Sequence, residues 1–124
     1  MTKLFVVFIG GGLGSLARFG ISETVRRMSF TSFPLATFIS NVLSCLILAL
    51  TIGLFSDKII AQPWLRFFVI TGFCGGFSTF SAFSFETVEL IRTGNNMMAI
   101  LNIVLSLSVC FTIIFSLIKS SPAI

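Results

Sequence analysis

The sequence predicts an all-α integral membrane protein: four transmembrane helices in one domain over residues 1–124, the third helix broken at mid-span. Three observations predict it. First, 56% of the residues are hydrophobic and only 10% charged, with a mean hydropathy of +1.10; a soluble domain carries about 25% charged residues. So short a chain leaves much of its surface uncovered, and that surface would be apolar in water. The composition therefore argues against a soluble enzyme, and against disorder, which needs low hydrophobicity. Second, charge is absent from residues 4–17, 28–56, 67–85 and 93–118, and a spanning helix needs about 20 mostly apolar residues. Third, the third run concentrates glycines and hydroxyl side chains at its middle.

The first span is expected over residues 4–25. Its charge-free run is short and reaches spanning length only if Arg18 is included, either snorkelling to an interface or sitting in a polar interior. Lys3 before an apolar run resembles a signal peptide, but Gly10, Gly11, Gly12 and Gly14 interrupt that run, and cleavage would leave only three helices. Gly10 with Gly14, and Gly11 with Ser15, are small residues four apart, the spacing that lets helix backbones approach closely in lipid. Residues 12–17 also fit the loose dinucleotide fingerprint, but nothing supplies the βαβ unit that it requires.

The second span is expected over 34–56, opened by Pro34. Thr37, Asn41 and Ser44 share one face at i, i+4, i+7, with Ser40 nearby. That face serves either interhelical hydrogen bonding or a permeation path; Asn41 is its strongest member, because an unpaired amide in hydrocarbon is costly.

The third span is expected over 64–92, starting at Pro63, and reads Thr71-Gly72-Phe73-Cys74-Gly75-Gly76-Phe77-Ser78-Thr79-Phe80-Ser81-Ala82-Phe83-Ser84-Phe85-Glu86. Gly75-Gly76 is expected to break or kink it. Broken backbone at membrane depth is tolerated only inside protein or facing water; freed carbonyls there suit a small hard cation such as sodium, and freed N–H groups suit an anion. Phe77, Phe80 and Phe83 recur every three residues and are expected to share a face. Their ring edges carry positive quadrupole charge, so this aromatic stripe is either packing or a lining that holds an anion without a full cation. Glu86 follows, as an interface marker or an anchor for the polar cluster.

The fourth span is expected over 96–118 after the stop signal Gly94-Asn95. Asn102, Ser106 and Cys110 form a mildly polar line on it, a packing seam or a pore wall. The chain has no His, no Cys-x-x-Cys, and three cysteines that all lie within expected spans, which leaves no material for structural zinc or His-based catalysis. No enzymatic activity is expected. Nor is nucleic acid a partner, because the net charge of +4 is scattered over helix ends. With both termini on one side, that side holds Lys3, Lys58, Arg66 and Lys119; the other holds Arg26, Arg27 and Arg92. Four against three is too weak a bias to fix orientation. Either the termini weakly prefer the inside, or the chain inserts both ways.

On Gly10-Gly11-Gly12-Leu13-Gly14-Ser15-Leu16-Ala17-Arg18, Pro34-Leu35-Ala36-Thr37 followed by Asn41, and Gly72-Phe73-Cys74-Gly75-Gly76-Phe77-Ser78-Thr79-Phe80-Ser81-Ala82-Phe83, the sequence resembles the CrcB (Fluc) fluoride-channel family. The resemblance implies a multi-pass protein of the bacterial plasma (inner) membrane that exports fluoride passively and relieves its toxicity. It further implies an antiparallel, dual-topology homodimer with two pores and a structural sodium ion on the two-fold axis, held by backbone carbonyls of Gly75 and Ser78 from both subunits. It puts pore aromatics at Phe80 and Phe83, the pore amide at Asn41, pore hydroxyls at Thr79 and Ser81, and a vestibule arginine at Arg18. Ser106, Asn102, Cys110 and Thr37 are weaker candidates for the pore wall, and Glu86 for its support. Ala36 stands where the family usually has Gly, and Ser81-Ala82-Phe83 replaces the commoner Ser-Thr-Phe; neither removes an expected ion contact. Two other readings compete. A small multidrug exporter also has four helices, but its proton coupling needs an intramembrane carboxylate, and the first span has none before Glu23. The other is a non-transporting assembly subunit.

Overall fold

A computed structural model describes residues 2–28 and 30–119. Helix α1 is Thr2–Met28 and α2 is Leu35–Ala61. The third span divides into α3 (residues 63–77) and α4 (Phe80–Arg92), and α5 is Asn96–Ile118. Four segments among the described residues are long and apolar enough to cross a membrane: Thr2–Met28, Leu35–Ala61, Pro63–Arg92 and Asn96–Ile118. Leu4, Phe8, Leu16, Phe111 and Phe115 are largely exposed on the outside, the reverse of a water-soluble surface and the expected face toward acyl chains.

The helix ends follow local chemistry. Helix α1 runs past residue 25 to Met28, and in its last turns the Glu23 carboxylate bonds Arg26 at 2.7 Å and Arg27 at 3.1 Å. Helix α2 also runs on, to Ala61, across a kink at Phe55 (φ −124°, ψ 22°), with the Lys58 ammonium 5.5 Å from the Phe55 ring centroid. Only Gln62 separates α2 from Pro63, which opens α3 where a missing N–H costs nothing. Helix α4 ends as Gly94-Asn95 predicts. Gly94 takes φ 82°, its N–H donates to Ile91 O at 3.1 Å, and Asn95 N–H donates to Leu90 O at 2.8 Å, closing a Schellman motif.

Helix α1 packs against α3 and α2, α2 against α5, and α4 against α5. The α1–α3 seam is backbone on backbone. A Cβ on Gly10 would come within 3.2 Å of Gly72 Cα, one on Gly14 would overlap Phe73 O, and one on Gly76 would overlap Gly11 O. Small residues four apart thus create the close approach that the first span's spacing predicts. Within α3, Phe67–Cys74 is wound as a π-helix between an α turn, Pro63–Arg66, and a last α turn, Gly75–Phe77. Nothing in the sequence predicts that wider winding.

Candidate functional site

The third span breaks one turn later than Gly75-Gly76 leads one to expect. Gly75 is helical (φ −63°, ψ −36°), and the extended residues are Ser78 (φ −79°, ψ 158°) and Thr79 (φ −152°, ψ 118°). The glycines instead provide room: Gly76 lies against Gly11. What holds the break open is hydrogen bonding from another helix. Asn41 Oδ1 accepts Thr79 N–H at 2.7 Å, and Asn41 Nδ2 donates to Thr79 O at 3.2 Å. One amide thus takes over both backbone groups of a residue that has left the helix, the satisfaction lipid demands. Thr79 then caps α4, its Oγ1 accepting Ala82 N–H at 3.2 Å. On the other side of the break, Cys74 O accepts from Ser78 N–H at 3.0 Å, Ser78 Oγ at 2.8 Å and Ser44 Oγ at 3.0 Å.

Two cavities flank this junction. The first, about 200 Å³, is lined by Asn41, Cys45, Ser78, Thr79, Phe80, Phe83, Ser106, Leu107 and Cys110. The second, about 220 Å³, is lined by Ser15, Arg18, Phe19, Ser22, Thr37, Thr79, Ala82 and Glu86. Thr79 belongs to both, so one hydrogen-bonded residue separates a neutral, aromatic chamber from a charged one. The N-terminus of α4 sits at this wall. Its dipole is positive there, and its leading N–H groups have no helical acceptor ahead of them. In the first cavity the Phe80 and Phe83 ring centroids lie 5.8 Å apart at 37°, and its lining contains no carboxylate. Helix dipole, hydroxyls and ring edges without fixed negative charge favour a small anion over a cation.

Most sequence-predicted residues are brought to these chambers. Asn41, Thr79, Phe80, Phe83, Ser106 and Cys110 meet at the first, and Arg18, Thr37 and Glu86 at the second. Ser81 is exposed on the protomer, its Oγ 3.2 Å from Thr79 Oγ1. Gly75 is likewise exposed. Asn102 sits behind the first cavity, 1% exposed. Its Nδ2 donates to Thr87 Oγ1 at 2.9 Å and its Oδ1 accepts from Ser106 Oγ at 3.2 Å. Thr87 Oγ1 donates in turn to Phe83 O at 2.7 Å, so this line buttresses the turn that carries Phe83. Phe77 does not share the face of Phe80 and Phe83: it precedes the break, is 4% exposed, and stacks on Phe73 at 5.5 Å. The three-residue repeat assumed one continuous helix, and the two extended residues end its phase.

In the second cavity Thr37 Oγ1 donates to Glu86 Oε1 at 2.7 Å, while Glu86 Oε2 is buried with no hydrogen-bond partner among the described residues. Sequence reasoning missed Cys45, Leu107, Ser15, Phe19 and Ser22. A signal existed for three of them: Cys45 follows Asn41 by one turn, and Ser15, Arg18 and Ser22 are one polar stripe at i, i+3, i+7. Leu107 and Phe19 carry no such signal.

Residues 5–117 match the family model described as CrcB-like protein, Camphor Resistance (CrcB). Curated relatives named fluoride-specific ion channel FluC include one from Flavobacterium psychrophilum, 41% identical over 106 residues and 86% of each chain. Another, from Pyrococcus abyssi, is 42% identical over 111 residues, 89% of this chain and 88% of its own. A third, from Nitratidesulfovibrio vulgaris, is 46% identical over 94 residues, 76% of each chain. With its four membrane-spanning helices and a family match over nearly its whole length, this multi-pass membrane protein belongs to the CrcB-like family.

Proposed function

We propose that the chain is a fluoride channel that lets the ion leave a bacterial cell passively across the plasma membrane, relieving fluoride toxicity. The observation that carries this reading is the shared wall at Thr79. A charged chamber containing Arg18 meets a neutral chamber containing Phe80 and Phe83 at one extended residue that Asn41 holds in place. Fluoride is small and strongly hydrated, so a passage must return what the lost water supplied. Arg18 attracts the ion electrostatically at the entrance. Beyond it, the leading N–H groups of α4, the Thr79 and Ser81 hydroxyls and the Phe80 and Phe83 ring edges offer partial positive charge. None is a full cation, so binding is weak enough for release. Asn41 spends both halves of its amide on Thr79, so its part is to fix the donors rather than to travel with the ion. The relatives' printed name supports the choice of anion.

The functional unit is an antiparallel homodimer with two pores and a sodium ion at its centre. Two features support it. Phe80 is 77% exposed on the protomer although it lines the first cavity, so a second copy would complete that chamber. Gly75 and Ser78 fit the sodium site. Thr79 N–H, which would reach Gly75 O in a continuous helix, goes to Asn41 instead, and Ser78 is extended. Backbone carbonyls so released are hard oxygen donors, suited to a hard cation; two from each subunit would hold sodium. When bound, sodium supplies positive charge that ties the two broken helices together.

Vesicles loaded with fluoride in sodium buffer and read with a fluoride electrode test the reading. Purified protein should give efflux far above empty vesicles and negligible chloride efflux. Efflux no faster than from empty vesicles would reject it.

A further inference from the structure

Fluoride passage as described uses no thiol, yet two thiols face its path. Cys45 on α2 and Cys110 on α5 are free and half-buried, and both line the first cavity beside Ser78 and Phe83. Helical repeat brings them there. Cys45 lies one turn beyond Asn41 and Cys110 one turn beyond Ser106, and all four residues reach the same chamber. Both thiols open on the same cavity of about 200 Å³. Cys74, by contrast, is 3% exposed and lines neither this cavity nor the second. The cavity lining has no carboxylate or amine, and among the described residues no three His, Cys, Asp or Glu side chains cluster. A hard or high-coordinate metal therefore has no ligand set here, whereas paired thiolates suit soft cations. Such a cation must also displace the thiol protons itself, because the lining offers no base to take them.

We propose that Cys45 and Cys110 form a two-thiol site for one soft, thiophilic cation of the mercury(II), silver(I) and copper(I) class, and that its occupancy closes the chamber to the anion. With mercury(II), two S–H bonds are exchanged for two Hg–S bonds and two protons leave to water; no electron is transferred. Binding stands on the thiol geometry alone, while closure rests on the fluoride-conducting reading.

The experiment treats the purified full-length protein with mercury(II) chloride, washes it with a monothiol, and weighs it intact. A monothiol strips a singly held mercury but not one clamped between two cysteines. The expected result is one mercury per chain, with a mass gain of one mercury less two protons. In the wild type, mercury should protect Cys45 and Cys110, and not Cys74, from alkylation, a readout that needs no variant. The retained mercury should be lost in both C45S and C110S and kept in C74S. In vesicles, each protein is compared with its own untreated rate: mercury should slow wild-type fluoride efflux at least tenfold, dithiothreitol should restore it, and C45S and C110S should be insensitive. No wash-stable mercury on the wild type, or mercury retained by either single variant, overturns the site. Mercury bound at full occupancy with unchanged efflux overturns closure. Absence of efflux before mercury is added rejects the fluoride reading instead, and the mercury count still decides the site.

Discussion

The two halves of the third span solve the same problem in opposite ways. Helix α3 meets α1 by omitting side chains: Gly10, Gly14, Gly72 and Gly76 let backbone lie on backbone. The junction that follows α3 meets α2 by adding polar ones: Asn41 takes both backbone groups of Thr79, Ser44 and Ser78 donate to Cys74 O, and Thr79 caps α4. The first interface is held by dispersion and close approach, with no room to yield. The second is held by directional bonds, whose donors also face two cavities. Rigidity of the one allows irregularity in the other: a broken backbone in lipid keeps one geometry only if its neighbour cannot shift. Damage to the glycine seam should therefore remove the folded protein, whereas damage to the polar junction should remove transport and leave the fold.

The largest expected effect is at the seam. Gly14→Val places its Cβ onto Phe73 O, a backbone atom that cannot rotate away. Overpacking typically costs about 1–3 kcal/mol and more against backbone. The monodisperse fraction on size exclusion should collapse; a normal elution profile and thermal midpoint would dissolve the contrast drawn here. Next is Phe80→Ile, which removes one ring edge from the first cavity and fills similar volume. Fluoride efflux should fall at least tenfold, about 1.4 kcal/mol in barrier, with elution unchanged.

A smaller effect is expected one layer behind the cavity. Asn102→Ala deletes two hydrogen bonds at a position 1% exposed: Thr87 Oγ1 keeps Phe83 O but loses its donor, and Ser106 Oγ loses its acceptor. Unfolding should move down by about 1–3 kcal/mol, read as a lower thermal midpoint in detergent; an unmoved midpoint would mean that this line does not buttress α4. The smallest is at the surface, where Glu23→Gln breaks the exposed pairs to Arg26 and Arg27. Such pairs are weak in water, so the thermal midpoint should not measurably change.

Much of the fold was legible in sequence because lipid is a simple solvent. Charge-free length located four spans, Pro63 and Gly94 set ends that depend on a residue's own backbone, and glycine spacing gave the seam. The position of the break was not legible. Gly75-Gly76 are flexible by themselves, but the residues that leave the helix are Ser78 and Thr79. The partner that stabilises them, Asn41, is 38 positions away. Glu86 likewise meets Thr37 across 49 positions. Residue type flagged Asn41 as costly in hydrocarbon, and placed Thr37 on its face and Glu86 near the polar cluster, yet only the packed structure shows which partner each one finds. The π-winding of Phe67–Cys74 has no local signature either, since all eight residues suit an ordinary helix or a spanning apolar run.

The central claim is that fluoride passes the wall that Asn41 holds at Thr79. The most direct measurement is fluoride efflux, side by side, from vesicles carrying wild-type protein and Asn41→Asp, each checked for the same elution volume. Asp keeps an acceptor for Thr79 N–H but loses the donor to Thr79 O and sets a carboxylate in the anion's way. The account predicts rapid efflux from the first and efflux at the level of empty vesicles from the second. Equal rates from two equally well-folded proteins would contradict it.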